Sequence, residues 1–266
     1  MNIFLHELRA YRRSTIIWTV ALAALIMLFM MLFPAFTKDV AETKKIIGGL
    51  PQAVRDALGI QLTDFFTIFG FYAYLFSFVV LTGAIQAMNL GTSIISKEDS
   101  GKTAEFLLTK PVTRPQVMTA KLLAALTTLA FTNVVYLFAA GTAAGAAAKE
   151  PFSMKIFIMV SLTLFFVQLM FLALGVLVSV IMPKIKSVIA VSLPVVFAFF
   201  IIGVIGSILD NEASRYASPF KYYDTPYIVK HGAYEWRFIV IEIIFVIVAV
   251  AASYVIFAKK DIRAAS

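Results

Sequence analysis

Residues 65–96 read FFTIFGFYAYLFSFVVLTGAIQAMNLGTSIIS, 32 consecutive positions without a charged side chain. A bilayer core about 30 Å thick is crossed by roughly 20 apolar residues of helix, so this stretch can span a membrane with residues left over. Five more uncharged runs occupy 14–37, 122–148, 156–183, 187–209 and 238–258. They take up most of the 266 residues, of which 61% are hydrophobic, and mean hydropathy is +0.91. Open sheets are excluded inside lipid because their edge groups would have no partner, and uninterrupted apolar runs indicate helices rather than barrel strands. The expectation is an all-α polytopic membrane protein. It is a single transmembrane domain over 1–266, with six spans near 15–36, 66–95, 122–148, 156–182, 188–209 and 238–258.

Charge sets the orientation. On segments 1–13, 97–121, 184–186 and 259–266, 13 Lys and Arg stand against 5 acids. On loops 38–64, 149–155 and 210–237 the balance is 10 against 9. The formal net charge of +8 therefore lies almost wholly on one face, and the positive-inside rule places both termini in the cytoplasm. This basic balance addresses the lipid bilayer and not nucleic acid, since no Lys/Arg run is dense enough to track phosphates. With no Cys and only His6 and His231, thiolate and histidine-cluster metal sites are excluded. The first span reads as retained, because it is longer than a signal core and is followed by the bulky Phe33-Pro34-Ala35-Phe36.

Around the spans, local patterns suggest further detail. In 1–13, Phe4, Leu8 and Tyr11 recur at helical spacing with Leu5 beside them, while Glu7, Arg9, Arg12 and Arg13 cover the other side. This pattern predicts an amphipathic helix lying in the interface before the chain turns into the bilayer; the alternative is a basic flank anchoring the first span. The second span must tilt, extend or bend, with Gly70, Gly83 and Gly91 as bend sites. Gly141 and Gly145, four apart, predict close helix packing in the third span. Pro194 predicts a kink in the fifth. Loop 210–237, rich in Tyr and holding Trp236, fits a segment at headgroup level that dips back into the outer leaflet.

The polar residues inside the spans are Gln86, Asn89, Asn133, Gln168 and Glu242. The four amides either bond neighbouring helices or line a substrate path. Glu242 is the ionisable residue well inside a span, and hence a functional candidate. It also lies about 7.5 Å along the helix from Arg237, close enough to reach or pair at the outer interface.

The loop between the second and third spans runs Ser96-Lys97-Glu98-Asp99-Ser100-Gly101-Lys102-Thr103-Ala104-Glu105-Phe106-Leu107-Leu108-Thr109-Lys110-Pro111-Val112-Thr113-Arg114-Pro115. Ser100 reads as an N-cap, Ala104, Leu107 and Leu108 share one helical face, and Pro111 ends the helix near Lys110. Thr113 and Pro115 then open a helix that continues through Lys121 into the bilayer. A short cytoplasmic helix presenting Phe106 and leucines needs a cover, either a partner or the lipid surface. Gly101-Lys102-Thr103 mimics the end of a phosphate-binding loop, but Ser96 stands where glycine is required and no strand precedes it. There is no H-E-x-x-H, and no histidine inside a span to serve a serine nucleophile. The chain is not expected to be an enzyme or to carry its own cofactor.

The run Glu98–Arg114, followed by Lys121-Leu122, resembles the permease subunits of type-2 ABC exporters. In that family an acid near the end of the second span precedes a small-residue turn, a Leu-Leu-x-x-Pro-[Val/Ile]-[Ser/Thr]-Arg pattern, and a Lys opening the third span. The resemblance is specific over 97–122 and extends in architecture to the N-terminal helix, the six spans and the long last outer loop. It implies a second permease, identical or similar, and two cytoplasmic ABC ATPase subunits that bind ATP and Mg²⁺. It implies ATPase coupling through Glu98, Thr103, Glu105, Phe106, Leu107, Leu108, Pro111 and Arg114, with Glu98 acting as a salt bridge or cap. It further implies export across a bacterial plasma membrane. A wholly apolar interior with a few amides leans toward a hydrophobic or amphipathic cargo. The rival reading is a non-transporting assembly factor or receptor acting through loop 210–237. An ion-coupled carrier would need more buried charge than Glu242 and a Pro194 kink.

Overall fold

The computed structural model describes residues 2–52, 54–55, 60, 62, 64–101, 113–148, 152–182, 184–209 and 212–259, without the side chains of 98–101. Among these residues the regular structure is helical, with no strand. In chain order the helices are α1 (Ile3–Met30), α2 (Phe33–Phe36), α3 (Val40–Gly48), α4 (Ile68–Gly101) and α5 (Arg114–Ala147). They continue with α6 (Met154–Ile181), α7 (Val188–Ile208), α8 (Glu212–Ala217), α9 (Thr225–His231) and α10 (Trp236–Lys259), with a 3₁₀ turn at Pro219–Lys221 between α8 and α9. Six are long and apolar enough to cross a membrane: α1 continued by α2, then α4, α5, α6, α7 and α10. Six crossings return the chain to the side it started from. That side is the basic one, called cytoplasmic below.

Several helices start where a side chain can accept an orphan N–H. Thr113 accepts from Gln116 N while the Gln116 side chain accepts from Thr113 N, a reciprocal capping box opening α5. Ser153 and Ser187 cap α6 and α7 singly, each hydroxyl accepting the N–H three residues on, from Ile156 and Ala190. Helix α6 is the central element. In its most apolar window 61% is buried, against 17% for α7 and α10, whose outer faces are left to lipid or to another protein.

The tightest seam joins α4 to α6 through two glycines. A Cβ placed on Gly91 would lie 2.4 Å from the Leu172 carbonyl oxygen, and one on Gly175 would lie 2.7 Å from that of Met88. The backbones therefore touch, and only glycine permits it. On the outer side, Phe33, Phe36, Phe65 and Phe71 pack ring against ring and tie the first two spans together.

Several local expectations are corrected. The N-terminal segment is not a separate interfacial helix: α1 runs unbroken from Ile3 to Met30, and Glu7 faces the bundle instead of the polar side. The cause is long-range, because lysines from two other helices draw Glu7 inward (below). Helix α4 continues through Ser100 to Gly101, so Ser100 lies inside a helix rather than capping one, and Gly83 and Gly91 do not interrupt it. Gly145 has nothing within 4 Å of a Cβ position, so it makes no close packing; the neighbouring Ala140 and Ala144 are the buried small residues. Pro194 lies inside α7, which continues across it, and a proline kink is compatible with that continuity. Residues 102–112, which hold most of the expected coupling helix, lie outside the described residues.

Residues 212–237 pack back against α7. Gly203 and Gly206 of α7 make room for Ser218 and Ser214, and Ser218 Oγ donates to the Phe199 carbonyl at 2.8 Å. Phe199 lies nine residues before the end of α7, about 13 Å down the helix, so this hairpin descends well below the outer end of the fifth span.

Replacing Gly91 by Ala should destabilise the protein by about 1–3 kcal/mol through overpacking, whereas Gly145→Ala should be neutral or slightly stabilising. Thermal unfolding in detergent compares the two, and equal effects would contradict the backbone contact.

Candidate functional site

The buried stripe of α1 comprises Glu7, Thr19, Leu22, Ile26 and Met30, a helical face turned to the bundle. Glu7 heads it on the cytoplasmic side and is 2% exposed. One carboxylate oxygen accepts from Lys121 Nζ at 3.0 Å and the other from Lys97 Nζ. Lys121 is fully buried and also donates to the Ile94 carbonyl at 2.7 Å. Lys97 sits over the Tyr11 ring, 4.8 Å from its centre, and the Tyr11 hydroxyl donates to Ser93 Oγ at 2.9 Å. A carboxylate and an ammonium group at this depth require each other, since either alone would be an uncompensated buried charge. Glu7 thus staples the end of the second span to the start of the third, the two helices that flank residues 102–112.

Of the residues expected to couple to an ATPase, Thr103, Glu105, Phe106, Leu107, Leu108 and Pro111 lie outside the described residues, as does the side chain of Glu98. Arg114 is described, and its Nη1 donates to the carbonyls of Ala258 at 3.0 Å and Phe257 at 3.4 Å. The acid seen holding this region is Glu7. Sequence reasoning missed it because its partners lie 90 and 114 residues away.

Nearer the membrane centre, polar side chains link four helices. Gln168 donates to Gln86 Oε1 at 3.1 Å and accepts from Asn133, whose amide also donates to the Leu129 carbonyl at 2.8 Å. Gln86 donates to Thr132 at 3.1 Å. Thr132 gives its own proton to the Thr128 carbonyl, so Thr19 is the donor in the 2.9 Å Thr19–Thr132 contact. Asn133 and Gln168 therefore brace the wall, while Gln86 and Asn89 line a cavity of about 240 Å³.

That cavity lies in the cytoplasmic half, where Tyr11 and Trp18 of α1 and Gln86 and Asn89 of α4 meet Thr128 of α5 and Val188 of α7. Its lining mixes ring faces, hydroxyls, amides and aliphatic carbon, which suits an amphipathic molecule. Asn89 Oδ1 is buried without a hydrogen-bond partner among the described residues. An unsatisfied buried acceptor is costly, and a donor brought by a bound molecule would satisfy it.

On the outer side Glu242 is 5% exposed and accepts from the Tyr223 hydroxyl. It pairs with the hairpin instead of reaching water. Phe166, Tyr223 and Tyr234 pack in a triangle beside it, and Tyr234 donates to the Met159 carbonyl at 2.8 Å. Arg215 pairs with Glu235 and lies over the Phe238 ring.

Breaking the Glu7 staple should be expensive. Glu7→Ala is expected to lose about 3–5 kcal/mol because Lys121 stays buried and unpaired. Lys97→Ala should lose no more than about 1 kcal/mol, its ammonium being partly solvated. Thermal unfolding of the detergent-solubilised variants ranks them, and the reverse order would refute the staple.

No curated protein sequence matches this chain. The description of the ABC-2 family transporter protein does match, over residues 1–262. That range covers the six membrane helices, the Glu7 staple on the cytoplasmic side and the outer hairpin as one unit. The chain belongs to the ABC-2 family of transporter proteins and is a membrane permease of an ABC transporter.

Proposed function

We propose that this permease works as an ATP-driven exporter subunit in a bacterial plasma membrane. It pairs with a second copy or a similar permease and with two cytoplasmic ABC ATPase subunits, which supply the ATP and Mg²⁺ sites. Residues 98–114 form the coupling segment, with Phe106, Leu107 and Leu108 as its apolar docking face. The observation that carries this reading is the clamping of the segment's flanks. Lys97 before it and Lys121 after it share the Glu7 carboxylate. A segment whose two supporting helices are held together acts as a lever rather than a loose loop, so a push from an ATPase moves membrane helices.

Cargo is hydrophobic or amphipathic. It enters the cavity from the cytoplasmic half, presents a hydrogen-bond donor to Asn89 Oδ1, and rests apolar surface on Trp18 and Val188. ATPase closure then opens the path outward. Gln86 and Asn89 touch the cargo, and Asn133 and Gln168 hold the wall through their bonds to α4 and α5.

Two outcomes test this. Substituting Phe106 and Leu107 by Asp should abolish co-purification with the ATPase subunit and cargo-stimulated ATP hydrolysis; an intact, cargo-responsive complex would end the coupling assignment. Asn89→Leu should leave the complex and its basal hydrolysis unchanged. It should raise the cargo concentration for half-maximal stimulation about tenfold, the value of one buried hydrogen bond. An unshifted titration would remove Asn89 from the path.

A further inference from the structure

We propose that Arg114 is a positioning residue that ties the coupling segment to the sixth span, making α10 the rod that joins this segment to the outer hairpin. The proposal rests on the exporter reading above. Arg114 Nη1 donates to the carbonyls of Phe257 and Ala258, in the last described turn of α10. One guanidinium holding two successive carbonyls through charge-assisted bonds fixes the start of α5 against that turn. A second tie lies one turn along α5. Thr119 gives its hydroxyl proton to the Pro115 carbonyl at 2.8 Å, so Tyr254 of α10 is the donor in the 2.7 Å Tyr254–Thr119 bond.

The other end of α10 holds the hairpin. Glu242 lies fifteen residues before Phe257 on the same helix, about 22 Å away, and accepts from Tyr223. Between them α10 contains neither Gly nor Pro, the residues at which helices most often kink. Only 17% of its apolar window is buried, so most of its surface faces away from this chain. Movement imposed at Arg114 therefore arrives at Tyr223. The sequence motif assigns Arg114 to the ATPase contact, whereas its bonds to α10 give it a task within the membrane subunit.

The chain has no cysteine, so Val229→Cys, at a 42% exposed position of α9, gives a single reporter on the hairpin. In liposomes holding the complex with its ATPase, labelling by a membrane-impermeant maleimide is timed without nucleotide and with ATP plus vanadate. The rate should change about fivefold or more in the reporter protein, in the range of coupling between linked sites. Adding Arg114→Ala should remove that change while the ATPase subunit still co-purifies, and Arg114→Lys, which can still cap carbonyls, should keep most of it. Tyr223→Phe, altered at the opposite end of the rod, should also remove it. A full nucleotide response in either Arg114→Ala or Tyr223→Phe overturns the proposal, as does loss of the ATPase from Arg114→Ala, which would make Arg114 a docking residue. Failure of the unaltered reporter protein to hold an ATPase subunit overturns the exporter reading itself, and this proposal with it.

Discussion

A carboxylate buried in an apolar bundle is costly without a cation beside it, and Glu7 has two. That constraint organises the cytoplasmic half of the protein. It turns the first turns of α1 inward, joins the end of α4 to the start of α5, and brings Tyr11 against Ser93 beside the cavity. Lys97 and Lys121 flank the segment proposed to meet an ATPase, so the footing of its two supporting helices is ionic before it is hydrophobic.

A second set of contacts makes the neighbouring helices a rigid block. The Gly91–Gly175 seam brings two backbones together, and the Thr19–Thr132–Gln86–Gln168–Asn133 chain crosses four helices. Away from water such amides rely on protein partners. Helices α7 and α10 lie outside this block and bury little of their own surface. The cavity opens where the block meets the start of α7. The two spans with the largest outward-facing surface thus lie at the edge of this block.

How much was legible in advance depends on the range of the interaction. Thr113 and Pro115 open a helix because a cap acts over three residues, and the structure has that helix starting at Arg114. The aromatic content of loop 210–237 suits the edge of a bilayer, and rings from it, Phe220 and Tyr223, pack against Phe171 and Phe166 of α6. Ser100 was misread because a capping residue is also tolerated inside a helix, and the apolar helix before it simply continues. Gly145 was misread because a spacing of four says that backbones can approach, not that a partner faces them.

Amino-acid order alone determined that the chain is helical and how many of its helices are long and apolar enough to cross a membrane. Both follow from apolar run length, a property of neighbouring residues. Only the tertiary structure decided which polar groups meet. It placed Glu7 between Lys97 and Lys121, joined Asn133 to Gln168 while leaving Asn89 Oδ1 buried without a partner beside the cavity, and set Arg114 on the last described turn of α10 and Tyr223 on Glu242. The reason is electrostatic. Inside a bilayer a polar side chain must find a partner wherever the packing of helices brings one, and that partner can lie a hundred residues away.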